Sequence, residues 1–136
     1  MALILVACKP TPPHGPSEQA ATAGGDPQHL EKKFFIPAGK FAEVNVQMSA
    51  GEEATADYIV EEGGTIEWNV HSHPTAKDTV VHDEGDGPKG GMTFRAPSDG
   101  AYSFLWENKK GKRSVMVRVK LSLSGSARVT SWVPSP

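Results

Sequence analysis

From Phe41 to Met48 the chain reads as one extended run in which Ala42, Val44, Val46 and Met48 on one parity alternate with Glu43, Asn45 and Gln47 on the other. Successive side chains of an extended chain point to opposite faces, so this pattern predicts a strand with one face buried. The same period recurs from Thr65 to His73, where Ile66, Trp68 and Val70 oppose Glu67, Asn69, His71 and His73. It returns at Tyr102, Phe104 and Trp106, and at Val115, Val117, Val119, Leu121 and Leu123, the longest run of all. Shorter runs at Lys33 to Ile36, Ala54 to Val60, Thr79 to Asp83 and Met92 to Ala96 complete the set. Turn signals such as Pro37-Ala38-Gly39, Glu61-Glu62-Gly63-Gly64 and Pro97-Ser98-Asp99-Gly100 separate them, and no long segment carries the 3.6-residue period of an amphipathic helix. The expectation is an all-β chain: a single β-sandwich of about eight antiparallel strands, with jelly-roll or related topology.

Length and composition place that sandwich within the chain. The 136 residues suffice for one domain. Residues 31–124 are expected to fold, residues 125–136 form a tail that adds an edge strand through Ala127 to Val133, and residues 9–30 are a Pro-rich linker. The 14 Lys and Arg against 16 Asp and Glu give a net charge of −2 with both signs dispersed, which argues against nucleic acid as a partner. No stretch approaches the roughly 20 apolar residues that span a bilayer as a helix. Glu84 to Gly91 reads as an acidic, glycine-rich loop, and Lys109 to Arg113 as a charged turn.

Two resemblances sharpen the picture. Leu5-Val6-Ala7-Cys8 resembles the lipobox of bacterial lipoproteins, with residues 1–8 as a truncated signal remnant. That resemblance implies a lipid anchor on Cys8, membrane attachment, and a place in the bacterial cell envelope as a periplasmic or outer-membrane lipoprotein. Gly64 to Asn69, Phe94-Arg95-Ala96-Pro97, Gly100 to Phe104, Asn108 and the valine strand resemble, in that order, the core of GOLD-domain proteins over about residues 40 to 123. The resemblance implies a compact sandwich that adapts to protein or lipid partners and catalyses no reaction.

Candidate chemistry concentrates in one place. His71 and His73 share a strand face, and a hairpin pairing His73 near Val80 would set His82 opposite His71. Three imidazoles suit copper or zinc, with Asp83, Glu84 and Met92 as additional ligands and Met48 as a further soft donor. A type 1 copper centre is excluded, because it needs a Cys thiolate and Cys8 sits on the tether. Ser72 lies on the opposite face from both neighbouring histidines, so it pairs with neither as a nucleophile. A zinc-bound water activated by Glu84 is the one route to a hydrolase. Trp132, in the tail, either caps the core or is exposed for recognition. The expected function is a membrane-tethered, non-enzymatic binding module that holds copper or zinc at His71, His73 and His82. The alternative is a metal-free sandwich that contacts a protein or an envelope polymer.

Overall fold

The computed structural model describes residues 28–134, and in them strand follows strand almost without pause. Nine strands form: β1 (Gln28–Ile36), β2 (Phe41–Met48), β3 (Glu53–Val60), β4 (Ile66–Thr75), β5 (Asp78–Gly87), β6 (Lys89–Arg95), β7 (Gly100–Glu107), β8 (Val115–Leu123) and β9 (Arg128–Val133). A single 3-10 turn, Glu61–Gly63, links β3 to β4. The strands pair antiparallel into a four-stranded sheet, ordered β1-β8-β3-β6, and a five-stranded sheet, ordered β5-β4-β7-β2-β9. The expected all-β sandwich is therefore what the chain forms, with β9 at one edge of the five-stranded sheet.

The alternation of the sequence sets the two inner faces. Ala42, Val44, Val46 and Met48 on β2, Tyr102, Phe104 and Trp106 on β7, and Val117, Val119, Leu121 and Leu123 on β8 are all buried. A fully buried side chain of the size of Phe104 contributes roughly 1.5–3 kcal/mol. Trp132 on β9 caps this core, its ring 5.7 Å from Phe34 with the Lys32 ammonium 5.4 Å from the ring centroid on the outside.

Three boundaries differ from expectation. β1 begins at Gln28, inside the expected linker; the rest of that linker and the expected lipidation site Cys8 lie outside the described residues. The acidic segment after His82 is not a loop: it continues β5 to Gly87, and after Pro88 the chain turns straight into β6 in the other sheet. The edge position permits this, since one side of β5 needs no partner strand. β4 also runs through Pro74, expected as its end, to Thr75. Gly85 is required here because a Cβ at that position would lie 2.6 Å from Cζ2 of Trp68, so the indole packs directly on the β5 backbone.

Candidate binding face

The outward parity of β4, β7 and β2 builds a polar face on the five-stranded sheet. Antiparallel register sets His71 beside Ser103, and sets Glu43 and Asn45 on β2 next to Leu105 and Ser103 on β7. Side chains on that face then bond across the strands. Asn69 Oδ1 lies 2.7 Å from Nδ1 of His71, whose Nε2 lies 3.4 Å from Oε2 of Glu43. The Ser103 hydroxyl donates to Asn45 Oδ1, and Asn45 Nδ2 donates to the Ser131 hydroxyl at 2.9 Å. Ser103 thus stands beside an imidazole without bonding to it.

This network is unusually sheltered for an outer face. His71 is only 7% exposed. Burial, reinforced by the charges of His73 and His82, holds its pKa below the ordinary histidine value, so the ring is neutral at pH 7. Burial also raises the Glu43 carboxyl above its usual range, against the hydrogen bond from Asn45 and the charge of His73, which pull it back.

The structure separates the three histidines that the sequence brings together. His71 and His73 do share the outer face, ring centroids 5.0 Å apart and edge to face. His82 faces inward. Its Nε2 lies 2.8 Å from the Ser72 hydroxyl, and its ring sits 5.2 Å from Phe94 and 5.6 Å from Tyr102. The cause is a pair of offsetting bulges. Val70 opposes Asp83 and Thr75 opposes Asp78, and even pairing between these two would set His71 against His82. Instead His71 opposes Val81 and Ser72 opposes Val80: β5 spends one extra residue at His82, and β4 spends one between Ser72 and Thr75. The second bulge contains Pro74, which has no N–H for a ladder and is tolerated within sheets at such positions.

The expected additional ligands are dispersed as well. Asp83 is exposed and accepts the Glu84 N–H at 2.9 Å, while Met92 and Met48 are buried in the core. Glu84 pairs with Asn69 and lines a cleft of about 470 Å³ further along the sheet, with Glu67, Asp86, Leu105, Glu107 and Lys109. Among the described residues no group of three or more His, Cys, Asp and Glu is placed to hold a metal ion.

Glu43, Asn45 and Ser103 complete the network, and sequence reasoning missed them as site residues. Their outward parity was readable, but which strand lies beside β4 was not.

Compared with known proteins, the chain matches no family model and no curated protein. Among solved structures it resembles PliG of Aeromonas hydrophila, a periplasmic inhibitor of g-type lysozyme. The TM-score is 0.52 at 15% identity, covering 71% of this chain and 85% of that one. The two share a fold.

Proposed function

We propose that this chain is a β-sandwich of the bacterial envelope that binds a protein, without turnover and without a bound metal, and that its partner is a lysozyme of the g type. The observation that carries the reading is the sandwich itself, which shares its fold with a periplasmic lysozyme inhibitor across 85% of that protein's length. A second observation favours the metal-free form. Both ring nitrogens of His71 already face Asn69 and Glu43, and Nε2 of His82 faces Ser72, so a metal would have to displace existing partners. The sheltered polar face supplies fixed polar groups of the kind that give orientation at a protein interface. Attachment through Cys8 belongs to the same proposal and would hold the inhibitor where such an enzyme arrives.

The test is inhibition. Full-length protein added to a purified g-type lysozyme should slow clearing of a cell-wall suspension in proportion to its concentration, and calorimetry should give one-to-one binding. Unchanged clearing at a hundredfold excess of the protein would overturn the proposal. For the anchor, Cys8→Ser should move the protein from the membrane to the soluble fraction of the envelope.

A further inference from the structure

The β4–β5 hairpin outruns the sheet to which it belongs. The ladder between β4 and β7 stops at the His71–Ser103 pair, so beyond that point the two strands pair only with each other, Ser72 with Val80 and Thr75 with Asp78. Continuing that register puts Pro74 level with Gly100, where β7 begins, and the turn Thr75-Ala76-Lys77-Asp78 lies past the end of the strand.

This projection is fixed at both ends. At the tip, the Thr75 hydroxyl donates to Asp78 Oδ2 at 2.8 Å and accepts the Lys77 N–H at 3.3 Å. Nδ1 of His73 lies 3.2 Å from the Thr79 hydroxyl and 3.3 Å from the Asp78 carbonyl. At the root, His82 packs against Phe94 and Tyr102 of the two sheets and holds the Ser72 hydroxyl. A preformed hairpin loses little conformational freedom on binding.

Its surface has a definite chemistry. Val80 and Val81 are 43% and 49% exposed on the same arm. The Asp78 carboxylate is engaged by Thr75, whereas Lys77 takes part in none of the ion pairs among the described residues. The tip therefore offers a free ammonium beside the small side chain of Ala76, with two valines behind it. A glycoside hydrolase is complementary to that: its substrate cleft is concave and carries at least two carboxyl groups.

We infer that the β4–β5 hairpin is the element that enters the cleft of the hydrolase, with Lys77 set against its carboxylates and Val80 and Val81, one on each face of the hairpin, against its two walls. The inference rests on the reading under Proposed function and assigns the surface that performs it.

The experiment compares four full-length proteins as inhibitors of a g-type lysozyme: the wild type, Lys77→Glu, the double variant Val80→Ser/Val81→Ser, and Phe35→Ser/Ile59→Ser. The last pair is exposed on the outer face of the four-stranded sheet and serves as a control. Thermal unfolding confirms that each is folded; Lys77 is exposed in a turn, so its variant keeps the test alive if the valine pair misfolds. Charge reversal should weaken inhibition at least about 30-fold, the scale of unpairing an interfacial charge, and the control should match the wild type. Inhibition by Lys77→Glu equal to that of the wild type overturns the hairpin assignment and leaves the proposed function standing. Loss confined to the Phe35→Ser/Ile59→Ser variant overturns it in favour of the opposite sheet. No inhibition by the wild type overturns both.

Discussion

Replacing Asn108 by alanine removes a side chain that is 1% exposed and ties three pieces of backbone together. Its Nδ2 donates to the Ile36 carbonyl at 3.0 Å, at the end of β1, and to the Arg113 carbonyl at 2.8 Å, just before β8. Its own N–H donates to the Lys40 carbonyl, and its carbonyl accepts from Gly39, each at 2.9 Å, so the two loops at this end of the sandwich close around it. Alanine keeps the two backbone bonds and loses the two made by the side chain. The Ile36 bond is buried and the Arg113 bond partly so. Orphaning a buried carbonyl costs about 1–3 kcal/mol and losing a half-wet bond about 1 kcal/mol, so Asn108→Ala should destabilise the protein by roughly 2–4 kcal/mol. Asn108 Oδ1 has no partner among the described residues, so removing it offsets part of that cost and places the expected loss toward the lower end of the range. For a domain of this size the loss corresponds to a fall in Tm of roughly 10–25 °C. Urea unfolding followed by tryptophan fluorescence would measure it, with an unchanged m-value as the sign that the folded state is otherwise intact. A change below about 0.5 kcal/mol would refute the reasoning, because water would then be satisfying both carbonyls as well as Asn108 does.

Three further outcomes are expected. The neutral, buried His71 predicts acid sensitivity. Its folded pKa lies below the ordinary value of 6.5, so the unfolded chain takes up the proton first, and stability falls as pH drops from about 6.5 through the folded pKa. Glu43 works the other way: its raised pKa adds stability as pH falls through it, fully present below 4.5. His71→Gln should therefore flatten the loss below about pH 6.5 in a series of Tm measurements, and a profile identical to the wild type would refute the assignment. Gly85→Ala should cost about 1–3 kcal/mol and shift the Trp68 fluorescence, since the new methyl forces the indole off the β5 backbone. Calorimetric titration with copper or zinc should reveal no site tighter than about micromolar, because only two imidazoles share a face; nanomolar stoichiometric binding lost in His71→Ala would reverse that conclusion.

What the sequence revealed follows from where the two-residue period is intact. β2, β7 and β8 keep it from end to end, with one face wholly apolar, and the structure buries that face without exception on β2. β5 was legible only as the short run from Thr79 to Asp83, and its acidic half was not, for the converse reason. It lies at an edge, its neighbour Trp68 demands Gly85 rather than an apolar partner, and the bulge at His82 breaks its period in the middle. Asn108 was visible only as one residue in a resemblance, without a physical role; that role depends on carbonyls from residues 36 and 113, which only the folded chain brings together. In the site, parity alone set His71 and His73 on one face and Ser72 on the other. It could not foresee the register of β5, because Pro74 acts on the hairpin through a missing hydrogen bond rather than through hydropathy.

The paired bulges of the hairpin behave like two compensating frameshifts in a message. Between them the chain is read one step out of phase, and on either side the original frame is restored, so Val70–Asp83 and Thr75–Asp78 are the same in both frames. Anything that erased both shifts at once would rephase the short interval and lift the His82 ring off Phe94 and Tyr102, while the pairs on either side keep their register. In the restored frame His82 turns outward to stand across from His71, and Ser72 gives up its imidazole. A hairpin with His82 against the core and a hairpin with three imidazoles on one face are thus one slip apart in the same sequence.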